Sequence, residues 1–190
     1  MKSIKYFIQF LIIFILFLVF KVLGLRFASY ISGKIISLIG PFFRSKNLIK
    51  SNILKALPNL DKNEIKNISK MMWNNYGRIL AEYIFIKKFR MSNAENNIKV
   101  IGQKKLDAIK ESQEPVIFIS GHFNNFELMA MHLEKSGINL AAVYRPLNNK
   151  FLNFIMEIIR KKYICKNQIK KGISGTKQLL SFFKKKTSIA

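Results

Sequence analysis

The stretch PVIFISGHFNNFE, residues 115–127, decides the fold that we expect for this chain. It opens with a short, strongly apolar run at 115–120, which is typical of a buried strand in a parallel sheet. A polar turn follows at 121–125, and a stretch with helical spacing begins near Glu127. The segment therefore predicts a strand that leads through a turn into a helix, an arrangement that often positions reactive side chains in α/β proteins.

Short apolar runs and helical stretches alternate around this segment. We expect strands at 98–101, 115–120 and 140–144, and helices at 104–110, 127–135 and 149–163. This order predicts an α/β layer with a mainly parallel sheet, flanking helices, and chemistry at the carboxyl ends of the strands. Residues 170–190 indicate a Gly-containing turn and a helix with a basic end, after which the strand expected next is missing.

The N-terminal part of the chain is apolar. Residues 6–25 read YFIQFLIIFILFLVFKVLGL, with Gln9 and Lys21 as the main polar interruptions. This length approaches the roughly 20 residues needed to cross a bilayer. A cleaved signal peptide is the alternative, but Lys21 stands where a small cleavage-site residue is expected. We favour a retained membrane anchor over 1–26, either spanning or interfacial, and the basic residues after it favour a cytoplasmic body.

Residues 27–97 are expected to form a helical region between the anchor and an α/β core at 98–190. Helical apolar spacing over 27–56 is broken at Gly40 and Pro41. Asp61 and Glu64 then stand three residues apart before a periodic apolar stretch, the pattern of a capping box. The sequence predicts that this box opens a helix over 62–87.

Composition excludes several classes of protein. The chain has 190 residues, with 33 Lys and Arg against 10 Asp and Glu, a formal charge of +23. Only six of the 33 are Arg, and no nucleic-acid motif is visible, so we expect an anionic membrane or an acidic partner rather than nucleic acid. One Cys and two His cannot assemble the usual Cys/His zinc site, and no Gly-rich phosphate loop is present. We therefore expect no metal and no cofactor.

His122 and Glu127 are the residues in the central stretch that carry chemistry. On one continuous helix they would lie about 140° apart, because each residue turns roughly 100°. If the helix instead begins near Asn124 or Asn125, the imidazole can fold back toward the carboxylate and form a dyad. With no Ser or Cys partner evident, such a dyad would deprotonate a substrate hydroxyl. The alternative is a capping Asn beside a hydrogen-bonded turn histidine.

The block GHFNNFELMA, residues 121–130, resembles the GHFGNWE block of the bacterial lipid A late acyltransferases of the lauroyl or myristoyl type. That family lies within the lysophospholipid and glycerolipid acyltransferase superfamily, which carries the H-x4-D/E motif. The stretches MMWNNYGRILAEY (71–83) and VYRPLNNKFLNFIMEIIRKK (143–162) also resemble family blocks, in the same order. With the apolar N-terminus, the resemblance covers nearly the whole chain.

The resemblance implies transfer of a fatty acyl chain from acyl carrier protein to a hydroxyl of a lipid A precursor, within lipopolysaccharide biosynthesis. The reaction would take place at the cytoplasmic face of the bacterial inner membrane. His122 would be the general base, Glu127 its orienting carboxylate, and Arg145 a phosphate or carrier contact. The substrate-binding positions that the resemblance marks are Asn124, Asn125, Tyr144 and Arg145.

The chain departs from the family pattern at three places. Asn124 replaces a usual Gly, although Asn tolerates the left-handed backbone region well, and Phe126 replaces Trp as an aromatic wall. The chain ends at Ala190, where members of the family typically continue, so we expect an incomplete core: a truncated product, a fragmentary gene model or a minimal variant. The alternative function is that of a non-catalytic, basic, membrane-associated protein derived from such an acyltransferase.

Overall fold

The computed structural model describes residues 2–91 and 98–190. Two compact units are present: Met1–Phe14 together with Ile86–Ala190, and Ile15–Phe85. A strand was predicted at 98–101, but this segment, which the structure describes, has no regular secondary structure. That prediction is wrong, and its run of four residues forms no ladder with the described strands.

The Ile15–Phe85 unit is helical. Helix α1 spans Lys2–Ile39, with a non-helical residue at Gly24, and a 3-10 turn follows at Gly40–Phe42. Helix α2 covers Lys46–Ala56, α3 covers Lys62–Glu82, and a second 3-10 turn covers Tyr83–Phe85. The predicted break at Gly40 and Pro41 is confirmed.

The predicted capping box at the start of α3 is also confirmed. The Asp61 carboxylate accepts hydrogen bonds from the backbone N–H groups of Asn63 and Glu64 at 2.6 and 2.8 Å. Glu64 reciprocates by accepting from the Asp61 N–H at 2.8 Å. Helix α3 ends at Glu82 rather than at residue 87, because the chain tightens into the 3-10 turn before helix α4, Ile86–Met91.

Small residues allow α1 and α3 to pack closely. A Cβ atom added at Gly77 would overlap the carbonyl oxygen of Ser32, whose own Oγ donates to the Gly77 carbonyl at 2.6 Å. Ala28 and Ala81 are fully buried beside Phe20 in the core of this unit. The two helices therefore approach until backbone nearly touches backbone.

The segment Lys2–Phe42 is long and apolar enough to cross a membrane, by length and composition. Of its most apolar window, 6% is buried inside the protein. A core helix of a soluble protein would bury much more of such a window, so the exposure is compatible with the predicted anchor. Residues such as Ile12, Ile15 and Leu18 are about half exposed.

The other unit is mixed α/β, as predicted. After α4 come α5 (Gln103–Ser112), α6 (Glu127–Lys135), β1 (Leu140–Tyr144), α7 (Lys150–Tyr163), β2 (Asn167–Lys170), α8 (Ile173–Lys184) and β3 (Ser188–Ile189). The predicted strand 140–144 and the helices 104–110, 127–135 and 149–163 are confirmed within one or two residues. A strand does follow α8, so the prediction that it is missing was wrong.

The three strands form a parallel sheet in the order β2-β1-β3. The predicted strand at 115–120 adds only an isolated parallel bridge, between Ile117 and Ile189. The segment nevertheless forms two backbone hydrogen bonds with β3. The Phe118 N–H donates to the Ile189 carbonyl at 2.8 Å, and the Ile189 N–H donates to the Val116 carbonyl at 3.0 Å. The expectation of a buried strand was wrong, because β3 offers two residues for pairing and Ile117 remains 62% exposed.

Candidate active site

A cavity of about 810 Å³ lies at the carboxyl ends of the parallel strands. Four segments that leave the sheet in the same direction contribute to its wall. They are Ser120–His122 after the segment 115–120 that forms the isolated bridge (the bridge segment), Arg145–Leu147 after β1, Lys171 after β2, and Ala190 after β3. Parallel strands bring these ends together at one edge of the sheet. The cavity therefore forms where the α/β pattern predicts chemistry.

His122 lies on the turn between the bridge segment and α6, and its side chain is exposed to the cavity. The turn is held by backbone hydrogen bonds from Phe123 N–H to the Gly121 carbonyl at 2.9 Å and from Phe126 N–H to the Asn124 carbonyl at 3.0 Å. The imidazole packs on the Phe126 ring, with centroids 4.2 Å apart and planes tilted by 54°. Phe126 thus supplies the aromatic wall behind the histidine.

Asn124 occupies the left-handed backbone region, with φ at 46°. Most residues with a Cβ are strained there, whereas Gly and Asn adopt this conformation readily. The resemblance places Gly at this position in related sequences, and the positive φ supplies the physical reason. Asn124 therefore maintains the turn that directs His122 into the cavity.

Glu127 is the first residue of α6 and is buried, with 8% of its surface exposed. Its Oε1 accepts from Arg160 Nε at 2.9 Å and from the Arg160 terminal NH2 nitrogen, and the two side chains form a buried ion pair. In the described part of the chain no hydrogen bond joins Glu127 to His122. Both residues line the cavity, but Arg160 rather than the imidazole holds the carboxylate.

Arg160 also takes part in a network of polar contacts with residues of β1, α7 and β2. Its guanidinium carbon lies 5.2 Å from the centroid of the Tyr144 ring. The Tyr144 hydroxyl donates to Glu157 at 2.6 Å, and Glu157 also accepts from Lys170 and Asn153 at 3.1 and 2.8 Å. These contacts connect the end of β1 to α7 and β2.

The contacts shift the pKa values of both acidic groups. The hydrogen bond from Tyr144, with further contributions from Lys170 and Asn153, lowers the pKa of Glu157 from 4.5 to about 2, although partial burial acts in the opposite direction. Burial, reinforced by Glu157, raises the pKa of Tyr144 far above its usual value of 10.0. Tyr144 is therefore a neutral donor and Glu157 a carboxylate across the physiological range.

Arg145 and Lys171 bring positive charge to the cavity. Both side chains are exposed, and neither makes an ion pair with any residue that the structure describes. The buried Arg160 is already neutralised by Glu127, so Arg145 and Lys171 are the cations available to an anionic ligand.

The structure brings four of the six predicted site residues to the cavity: His122, Glu127, Tyr144 and Arg145. Asn124 and Asn125 lie in the adjoining turn, and the lining formed by the described residues includes neither of them. Sequence reasoning missed Arg160 and Lys171. Arg160 sits 33 positions from Glu127 within a basic run, where no local signal distinguishes it. Lys171 immediately follows β2, a strand that the sequence analysis did not predict, so its place at a strand end was not evident.

The other candidate side chains are committed to structural contacts. His132 interacts with Gln103 and Ser136 at 3.1 and 3.3 Å, and burial together with Lys135 lowers its pKa. Cys165 is buried, donates to the Leu140 carbonyl at 3.2 Å, and has its pKa raised to about 11, chiefly by burial. Residues 2–91 and 98–190 contain no group of His, Cys, Asp or Glu able to hold a metal ion.

Comparison with known protein families assigns the sequence to one of them. Comparison with individually curated proteins gives no match to the chain. The sequence model of the bacterial lipid A biosynthesis acyltransferases matches residues 1–189, which is nearly every residue. The resemblance seen in the blocks around His122 is therefore confirmed over the whole length, and the chain belongs to the bacterial lipid A biosynthesis acyltransferase family.

Proposed function

We propose that this protein transfers a fatty acyl chain from acyl carrier protein to a hydroxyl of a lipid A precursor, with His122 as the general base. Membership of an acyltransferase family supports the reaction class. The single observation that carries the assignment of the base is the exposed imidazole on the wall of a cavity with an apolar lining. The same cavity presents Arg145 and Lys171, which make no ion pair with a described residue. A base, an anion site and a place for an acyl chain are the three requirements of this chemistry.

In the proposed reaction, one ring nitrogen of His122 takes the proton of the acceptor hydroxyl as its oxygen attacks the thioester carbonyl. The C–S bond of the donor then breaks, and the departing thiolate takes the proton from the imidazolium. The exposure of His122 allows substrate to reach it, and the Phe126 ring restricts the imidazole on one side. No group beyond these atoms is needed for the step to balance.

Glu127 is proposed as a positioning residue for the imidazole. Arg160 occupies Oε1 and leaves Oε2 without a hydrogen bond from any described residue. When substrate orders the His122 side chain, Oε2 is the carboxylate atom that accepts from the second ring nitrogen. Because Arg160 fixes the position of Oε1, the carboxylate of Glu127 stays in place and the imidazole of His122 moves to form this hydrogen bond.

The cavity also suits the two substrates. Arg145 and Lys171 are proposed to contact a phosphate, either on the glycolipid acceptor or on the arm of the acyl carrier protein. Phe118, Ile119, Met129 and Leu147 offer apolar surface for the acyl chain. The formal charge of +23 favours an acidic carrier protein by long-range attraction. The exposed apolar helix α1 is proposed to hold the protein at the cytoplasmic face of the inner membrane.

The test uses membranes that contain the full-length chain, labelled acyl-acyl carrier protein, and a lipid A precursor. We expect His122→Ala to reduce the transfer rate by about 10²–10⁴-fold, the usual contribution of a general base. His132→Ala is the matched control, since it removes the other histidine of the chain, which does not line the cavity. It should retain transfer.

Two outcomes would contradict the proposal. If His122→Ala transfers acyl groups as fast as the wild-type protein, His122 is not the base. If the wild-type protein binds membranes and shows no turnover with any acyl carrier substrate, the non-catalytic, membrane-associated alternative is correct.

A further inference from the structure

A second cavity, of about 830 Å³, lies wholly within the Ile15–Phe85 unit. It is formed by the last turns of α1, the first half of α2 and the first half of α3. No part of the proposed reaction uses this cavity, and none of its lining residues was a candidate in the sequence analysis.

The rim of this cavity is strongly cationic. Six exposed lysines line it, and among the residues that the structure describes no acidic side chain does. In the part of the chain that the structure describes, none of the six makes an ion pair. The acidic residues nearest along the chain, Asp61 and Glu64, are engaged in the capping box of α3. The six are Lys34, Lys46, Lys50, Lys62, Lys66 and Lys70.

The placement of these lysines works against the stability of the helices that carry them. Lys62, Lys66 and Lys70 follow one another at intervals of four on α3, and Lys46 and Lys50 do the same on α2. Like charges at this spacing face each other along a helix and repel. An anionic ligand between the helices would remove this repulsion.

The interior of the cavity is apolar. Ile49 and Ile65 form a buried floor, while Trp73 and Pro41 are half-buried beside them. At the mouth, Leu38 is 75% exposed on the last turn of α1. Phe42 and Phe43, a few positions farther along the chain, are 89% and 75% exposed although they are large and apolar.

We propose that this cavity binds one anionic phospholipid, with its phosphate among the lysines and part of an acyl chain against Leu38, Pro41 and Trp73. The ligand must carry negative charge to suit the rim and an apolar portion to suit the floor. Phe42 and Phe43 favour a lipid source, because they continue the apolar surface of α1 to the edge of the cavity and suit the boundary of a bilayer. The inference does not depend on the proposed acyl transfer.

An acidic protein is the other partner that the lysines would attract. An acidic helix placed on the rim would contact the lysine heads, but it would leave the apolar interior empty and Phe42 and Phe43 exposed to water. A phospholipid satisfies the charge and the apolar surface together. The structure therefore favours the lipid over the protein.

Trp73 makes the proposal directly testable, since it is the sole tryptophan of the chain and lines the cavity. The full chain in neutral detergent micelles is titrated with phosphatidylglycerol or phosphatidylcholine, each with brominated acyl chains that quench tryptophan fluorescence on contact. We expect saturable quenching by phosphatidylglycerol and no saturable quenching by phosphatidylcholine. The variant K50Q/K66Q/K70Q should raise the half-saturating concentration of phosphatidylglycerol by about tenfold or more.

The matched control is K104Q/K105Q/K161Q, which removes the same charge from exposed lysines elsewhere and should quench like the wild type. Equal quenching by the two lipids, or an unchanged response of K50Q/K66Q/K70Q, would overturn the proposal. It would also be overturned if acyl carrier protein alone shifted the Trp73 emission while brominated phosphatidylglycerol did not quench it, because the occupant would then be an acidic protein.

Discussion

The ion pair between Glu127 and Arg160 supports the site, and its removal has a predictable cost. Glu127→Met leaves the Arg160 guanidinium, in a residue only 9% exposed, without its carboxylate. Breaking a buried pair in this way costs about 3–5 kcal/mol of unfolding free energy. We expect the lower end, about 3 kcal/mol, because the guanidinium keeps its contact with the Tyr144 ring. For a chain of this size the loss corresponds to a fall in Tm of about 6–12 °C.

Comparison of E127M and R160M with the double variant E127M/R160M separates the cost of removing the carboxylate beside Arg160 from the value of the ion pair. The double variant removes both charges and fills the space with apolar side chains, a replacement that is often neutral or stabilising. We therefore expect it to be more stable than E127M, with a coupling energy of about 2 kcal/mol or more. Thermal unfolding by circular dichroism measures the change, and hydrogen exchange of the amides in α6 and α7 assigns it to this region.

Activity provides the second readout of the same variants. E127M/R160M should regain stability but not acyl transfer, since the carboxylate proposed to position His122 is still absent. If the destabilisations of the single variants E127M and R160M added up to that of the double variant within about 0.5 kcal/mol, the ion pair would contribute nothing and our account of the buried contact would be wrong. Full transfer activity in the double variant would remove Glu127 from the mechanism.

Three further predictions concern contacts around the sheet. Tyr144→Phe removes the main donor that lowers the pKa of Glu157 to about 2. The stabilisation that a lowered carboxylate pKa provides is lost as the pH falls from about 4.5 toward 2. The variant should therefore lose more free energy of unfolding at pH 7 than at pH 3. Cys165, with its pKa raised to about 11 and its thiol buried, should react with maleimide at pH 8 only after denaturation. Gly175→Ala should destabilise the protein by about 2 kcal/mol or more, because the added Cβ would overlap the carbonyl oxygen of Lys170.

Each of these has a control or a contrary result. Urea unfolding at pH 7 and pH 3 tests the prediction for Tyr144→Phe. An equal loss of unfolding free energy at the two pH values would show that the hydrogen bond does not depend on the ionised Glu157. Rapid labelling of the folded protein would show that Cys165 is accessible. Ser174→Ala, one position before the glycine on the exposed side of α8, should change stability by less than about 0.5 kcal/mol. A comparable loss in both variants would contradict the steric argument.

Local patterns in the sequence were sufficient to predict several elements of both units. Helix α6 and strand β1 have the predicted bounds, and the α3 capping box forms as its Asp61 and Glu64 indicate. Each of these elements depends on contacts within a few residues, either the spacing of apolar side chains or a cap that bonds to the adjacent amides. The motif containing His122 was also recognisable from neighbouring residues alone.

Tertiary structure decided the partner of Glu127, the conformation around 115–120 and the second cavity. The sequence suggested an imidazole for the carboxylate, yet folding brings Arg160 to it from 33 residues away. The apolar run at 115–120 could become a full strand only beside a long partner, and β3 supplies two residues. The lysines around Trp73 come from three helices. Such outcomes depend on which distant segments share space, and the periodicity of a single segment does not carry that information.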